Sequence, residues 1–172
     1  PWELTRMDRE LREQVPVILR WLQKEFPEFA NARLVSTAPR IGLRASRNIA
    51  GRKMLRKLDV DQMLPIDEPV ALGKRSHGDH FVTSFNSPWR NYQPGVQPVP
   101  YGALLADPVQ NLAAAGRCIA VETKVVSCVR LTAHCLSSGL AAGLAAALNF
   151  PEYEKLLPAL RQHNFALAAF TK

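Results

Sequence analysis

The sequence contains no Gly-x-Gly-x-x-Gly turn. Its glycines stand at 42, 51, 73, 78, 95, 102, 116, 139 and 143, and no three of them share that spacing. The chain therefore carries no pyrophosphate cradle of the dinucleotide-binding kind. Cysteine is scarce: Cys118, Cys128 and Cys135 are the three, with no Cys-x-x-Cys among them. That excludes zinc-ribbon and thioredoxin-like patterns, and the apolar or small neighbours point to buried thiols. His134 beside Cys135 is a weak metal pair, because adjacent helical residues point about 100° apart. No metal site is expected. No apolar run approaches the roughly 18 residues of a membrane span; Leu140–Leu148 is too short, so no membrane is expected. The opening "PWELTRMDRE" has no signal-peptide apolar region. It starts at Pro1 without Met, and the chain is expected to be a cut or processed piece.

Acidic residues are absent from Leu34 to Leu58, where Arg40, Arg44, Arg47, Arg52, Lys53, Arg56 and Lys57 all occur. This stretch accounts for much of the net charge of +7. It reads either as an anion site or as a solvated basic face balanced elsewhere. Nucleic acid is not the expected partner, since no nucleic-acid motif and no interleaved aromatics accompany the charge.

The 172 residues, 47% of them hydrophobic, suffice for one core with a smaller lobe. Helical spacing of Leu11, Val15, Ile18, Leu19 and Leu22 predicts an amphipathic helix over Leu4–Phe26. Thr5 and Asp8 suggest a capping box at its start, and Pro16 a kink or break. Ala32–Thr37 reads as a strand. Ile41–Ser46 and Asn48–Leu55 read as extended pieces, with Gly51 as a bend. "DVDQML" suggests a helical turn and Pro69–Leu72 a short strand. Gly73–Pro100 is rich in loop-forming residues and predicts a long functional or mobile loop. Asn111–Ala115 reads as a buried strand, Leu131–Leu148 as a helix capped by Asn149, and Glu152–Ala168 as a last helix interrupted near Pro158.

Three segments occur in an informative order: "RLVSTAPRIGLRASRNIAGRKML" (Arg33–Leu55), "VPYGALLADPVQNLAAAGRCI" (Val99–Ile119) and "RLTAHCLSSGLAAGLAAAL" (Arg130–Leu148). Together they resemble the C-terminal half of bacterial FAD-dependent oxidoreductases of the glutathione-reductase-like, two-domain flavoprotein class. The resemblance covers nearly the whole chain. It implies an α/β fold, in mixed α+β form: part of a Rossmann-type FAD domain joined to a mixed-sheet substrate or cap region. Residues 1–110 would form the substrate or cap region and 111–172 the returning strand and helices. The N-terminal half with the glycine-rich turn would be missing, so the expected partners are that half or another subunit, and a small-molecule substrate. FAD is the implied cofactor of the parent, and the isolated chain is expected to lack it.

The same resemblance implies a cofactor-binding set of Gly116, Arg117, Cys118, Arg130 and Gly139. The Gly116-Arg117-Cys118 turn would lie beside the FAD, and the N-terminus of the following helix would point at the flavin ring. Such a helix end offers free N–H groups and partial positive charge, and Arg130 adds a full one. Gly139 and Gly143 would let the helix lie close to the sheet. Arg44, Arg47 and His80 match family positions near flavin or substrate: the arginines would hold a carboxylate or developing negative charge, the histidine would move a proton. Plain structural roles stay open for all three.

Several positions depart from the pattern. Thr123-Lys124 replaces His-Glu, Ser127-Cys128 replaces Gly-Ser, Ala133-His134 replaces Pro-Thr, Leu140 replaces a glutamine and Gly102 an arginine. They leave open a non-catalytic interaction module, with its basic face toward a partner or an anion, beside the reading as an oxidoreductase fragment.

Overall fold

The computed structural model describes residues 2–43, 47–74 and 95–163. The chain forms two compact units, Pro1–Arg44 and Ala45–Lys172. The boundary drawn above at residue 110 divides the chain by family role; by its own contacts the chain separates at residue 44. The fold is mixed α/β: four α-helices, several 3-10 turns and a two-stranded antiparallel sheet among the described residues.

The first unit is built on α1, Trp2–Glu25. Pro16 lies inside this helix without dividing it. Ion pairs at i, i+4 line it: Arg6–Glu10 at 3.5 Å, Arg9–Glu13 at 3.8 Å and Arg12–Asp8 at 3.0 Å. Thr5 falls within α1, so the expected capping box is not a cap; Asp8 serves Arg12 instead. Arg12 also donates to Thr37 Oγ1 and, at 3.0 Å, to the Ala38 carbonyl. Gln23 Nε2 donates to the Ala32 carbonyl at 3.0 Å. Residues 32–37 therefore run without a strand ladder, correcting the expected strand: α1 side chains hold this segment. Trp21, Phe26 and Phe29 stack edge-on at the turn that ends α1.

The second unit holds the core. Two segments, Pro69–Lys74 (β1) and Val96–Pro100 (β2), pair in antiparallel register, with Ala71 opposite Val99 and Gly73 opposite Gln97. The sheet is covered by α3, Thr132–Ala147, and by a 3-10 stretch, Thr123–Val129. Its other helices are α2, Lys57–Asp61, and α4, Tyr153–His163. His134, Ser138, Ala141 and Ala145 form the buried stripe of α3, at the spacing of one helix face. Leu156 and Leu160, one turn apart on α4, are both fully buried, and the Tyr153 hydroxyl donates to the Pro69 carbonyl at 3.1 Å. Burial of such a leucine stabilises by about 1.5–3 kcal/mol, so α4 is anchored by its apolar stripe despite Pro158 inside it.

The helix expectations for α3 and α4 are met within the described residues, and Asn149 adopts the left-handed conformation of a helix terminator at φ 59°. The strand expectation for Asn111–Ala115 is not. This segment makes one isolated bridge, Leu105 to Ala113, and Asn111 and Leu112 are exposed. Among the described residues its ladder contact is to the chain immediately before it, as a single bridge and not a sheet. Gly51 and Leu55 likewise meet Ala106 and Val121 as single bridges. The expected loop from Gly73 to Pro100 ends in β2, and its middle lies outside the described residues.

Candidate functional site

The residues Gly116-Arg117-Cys118 form one 3-10 turn against the first turns of α3. Gly116 is buried at φ 64°, a left-handed conformation that a residue with a Cβ adopts only with strain. A Cβ built there would lie 3.2 Å from Cys135 Sγ. The need for glycine is thus met inside the chain, by its backbone angle and by a thiol on α3. The Gly116 N–H donates to Ser138 Oγ at 2.9 Å, and that hydroxyl donates to the His134 carbonyl at 2.8 Å. This ties the turn to α3.

A second tie comes from residues far away in the chain. The Asn48 amide donates to the carbonyls of Arg117 at 2.9 Å and Ile119 at 2.8 Å, and the Ile49 N–H donates to Cys118 O at 2.9 Å. Arg47, next to Asn48, is exposed, so the backbone carrying the expected arginine is held beside the turn. Asn48 and Ser138 were not singled out by the sequence. Only the frequency with which Asn and Ser bond backbone groups in turns hints at them.

The start of α3 has no side-chain cap; its N-cap residue is Leu131. Arg130 precedes it and is half-buried. His134, in the first turn, is 1% exposed, and among the described residues neither ring nitrogen has a hydrogen-bond partner of good geometry, though the Gly116 and Leu72 backbones lie close. Burial holds the His134 pKa below its ordinary value, opposed by nearby backbone groups of Gly116 and Leu72. The imidazole therefore stays neutral at neutral pH. His134 was read above only as a departure and a poor metal ligand. Its burial makes it the most chemically distinctive side chain at this helix end.

Of the expected site residues, the structure brings Gly116, Arg117, Cys118 and Asn48-tethered Arg47 to one turn, with Arg130 leading into α3. Arg117 and Cys118 are exposed. Arg44 and His80 lie outside the described residues. Gly139 and Gly143 stand exposed on the side of α3 away from its buried stripe, with nothing within 4 Å of where a Cβ would be. They do not press the helix onto the sheet, as the spacing suggested; Ala141 and Ala145 do. The cysteines are unlike one another: Cys128 is buried, Cys135 half-buried and Cys118 exposed. The expectation of three buried thiols holds for Cys128 alone.

The family model of FAD dependent oxidoreductases matches residues 1–157. The chain belongs to this family. It is thus part of a flavin-dependent oxidoreductase family, and the match spans both compact units. No curated protein and no solved structure matches the chain.

No single helix of this flavoprotein-family chain is long and apolar enough to cross a membrane, among the described residues. The bent pair Thr123–Val129 and Thr132–Ala147 passes by length and composition together. The buried faces of both members pack on β1, which accounts for their apolar character.

At the start of α3 no side chain caps the helix, half-buried Arg130 precedes the N-cap Leu131, and the imidazole of His134 lies buried in the first turn. Free N–H groups at such an end carry roughly half a positive charge. They favour a ligand atom that gains negative charge on reduction.

Proposed function

We propose that this chain supplies the flavin-facing turn and helix of an oxidoreductase that transfers a hydride from a small organic substrate to FAD. The observation that carries the reading is the lock between buried Gly116 and the start of α3, at 2.9 Å to Ser138. It fixes an uncapped helix N-terminus and the Gly116–Cys118 turn as one rigid edge.

FAD, when bound, supplies a two-electron acceptor. The chain's own contribution is electrostatic and positional. The first N–H groups of α3 and the Arg130 guanidinium favour developing negative charge on the ring. Neutral His134 holds one proton near that edge and offers one lone pair. Arg47, and with it Arg44 and His80, is assigned to the substrate side: the arginines to hold a carboxylate, the histidine to move a proton.

We further propose that the pyrophosphate is held by a Gly-x-Gly-x-x-Gly unit outside these 172 residues, in the remainder of the parent protein or in another subunit. Support comes from the glycine positions in the sequence and from the open face of α3 at Gly139 and Gly143. The 172-residue chain alone is then inactive and cofactor-free.

The test is spectroscopic. The whole parent reading frame, reconstituted with FAD, is expected to show flavin bands near ~450 nm, and the 172-residue chain to retain none after gel filtration. A parent without those bands rejects the flavin reading. Bands retained by the short chain reject the proposal of an outside pyrophosphate site.

A further inference from the structure

A cavity of ≈ 180 Å³ opens at the opposite end of α3 from the Gly116 turn, between the 106–112 hairpin and the residues after the helix. Its polar lining residues are Arg52, Gln110, Asn111 and Asn149, all exposed, and none of its lining residues is acidic. The 16 residues of α3 place it about 24 Å from the helix start, at 1.5 Å rise per residue. It is distinct from the proposed flavin edge and far too small for a dinucleotide.

The cavity is built by backbone pairing on several sides. Arg52 N–H donates to Leu105 O at 3.0 Å and Asp107 N–H to Ala50 O at 2.8 Å, which fixes Arg52 against the hairpin. Ala106 N–H donates to Leu112 O at 2.9 Å and closes the hairpin itself. Phe150 N–H donates to Ala145 O at 2.6 Å, fixing the chain as it leaves α3. Asn111, Asn149 and Phe150, all lining the cavity, have φ of 57°, 59° and 52°. At Asn149 this conformation terminates α3; for a bulky residue such as Phe150 it is uncommon, and it shapes the corner that closes the cavity.

The Arg52 guanidinium has no hydrogen-bonded or ion-paired partner among the described residues. Two carboxylates, Glu68 and Glu152, act together with Arg52 on the buried Tyr101 phenol. Glu68 is paired with Lys53 at 3.2 Å. Glu152 acts, like Arg52, on the buried Tyr101 phenol but forms no ion pair among the described residues. Asp107 is exposed and does not line the cavity. The carbonyls of Leu144, Ala145 and Ala146 are taken by the N–H groups of Leu148, Phe150 and Asn149, so these carbonyls are not left facing the cavity without partners.

We propose that this cavity binds a small oxyanion, a phosphate or a carboxylate, through the Arg52 guanidinium and the Asn111, Asn149 and Gln110 amides. A guanidinium fork matches two oxygens of such an anion, and three amides supply neutral donors around it. Binding joins the hairpin to the corner after α3, and so stabilises the folded chain in proportion to ligand. The proposal does not depend on the flavin reading, because it uses other residues at the other end of the helix.

The experiment is thermal unfolding of the full 172-residue chain at constant ionic strength, with chloride replaced stepwise by inorganic phosphate or by malonate. A saturable rise in Tm is expected with at least one of them, and the stronger of the two names the ligand class. Arg52→Gln should weaken the apparent affinity roughly tenfold or more, the usual scale for losing a charge-assisted contact. Asn149→Gly keeps the left-handed backbone and removes only the amide, so it should fold normally and bind several-fold more weakly. Glu152→Gln should bind as well as, or more tightly than, the unaltered chain. If Arg52→Gln does not fold, the Asn149→Gly and Glu152→Gln affinities decide. A Tm rise that does not saturate, or one in Arg52→Gln and Asn149→Gly equal to that of the unaltered chain, overturns the proposal. So does a loss of stability in Arg52→Gln that is the same in every salt, which would make Arg52 a cation complementing the helix end and nothing more.

Discussion

The backbone N–H of Gly116 donates to the hydroxyl of Ser138 at 2.9 Å, across 22 residues of sequence. Both groups are buried, and the hydroxyl's own proton goes to the His134 carbonyl at 2.8 Å. One serine thus satisfies a turn and a helix together. Ser138→Ala leaves the buried Gly116 N–H without an acceptor, and the expected loss is about 1–3 kcal/mol. Denaturant titration reads it as a lower midpoint with an unchanged slope; an unchanged midpoint would show that the bond contributes nothing net.

Gly116→Ala is expected to destabilise for two separable reasons. The residue sits at φ 64°, and its new Cβ would stand 3.2 Å from Cys135 Sγ. The left-handed angle alone costs about 1–2 kcal/mol. Cys135→Ala in the same chain removes the thiol contact and should restore part of the loss. A double-mutant cycle measures that part. Complete rescue would mean the backbone angle is not strained by a side chain.

His134 makes stability depend on pH. Its pKa is held below the ordinary 6.5 by burial, so the unfolded state binds a proton more readily than the folded one. Stability from this residue is complete above pH 6.5 and is lost as pH falls from there toward the lowered folded value. The slope from one such group is at most about 1.4 kcal/mol per pH unit. His134→Leu should flatten the stability profile in that window. An unaltered slope in the variant would assign the acid sensitivity to other groups.

Two glycines are expected to respond in opposite directions to alanine. At Gly73 a Cβ would lie 2.6 Å from the Cys128 carbonyl oxygen, a backbone atom that cannot swing aside. Gly73→Ala should therefore cost about 1–3 kcal/mol by overpacking. At Gly139 nothing lies within 4 Å of the Cβ position, and the residue is inside a helix. Gly139→Ala should stabilise by about 0.5–1 kcal/mol. If another protein segment covers that face, as proposed for the pyrophosphate-binding unit, the same substitution should stabilise the isolated chain yet weaken its assembly. Melting curves and a pull-down with that segment distinguish the two effects.

Thiol labelling separates the cysteines. Cys118 is exposed and should react first with an alkylating reagent, while Cys128, fully buried, should react only when the chain unfolds. Peptide mass mapping after brief exposure reads the order. Early labelling of Cys128 would show that the Thr123–Val129 stretch opens locally.

Local chemistry alone fixes much of this chain. The ends of α3, the terminating role of Asn149 and the existence of α1 and α4 follow from helical spacing and the residues after the helix, while "DVDQML" marked only a turn where α2, Lys57–Asp61, begins two residues earlier. The order of the Arg33–Leu55, Val99–Ile119 and Arg130–Leu148 segments was enough to place the chain among FAD dependent oxidoreductases, since a family pattern is a property of sequence. What the tertiary structure decided is who pairs with whom. Asn111–Ala115 has strand-like residues but no neighbouring strand among the described residues, and there it makes a single bridge. Asn48 reaches Arg117 across 69 positions, and only that approach puts Arg47's backbone beside the turn. The glycines of α3 suggested close packing, yet its alanines face the core, because the helix is rotated to bury His134 and Ser138 against β1 and the Gly116 turn. Spacing along a helix names its faces; which face is covered depends on partners that the sequence around the helix does not contain.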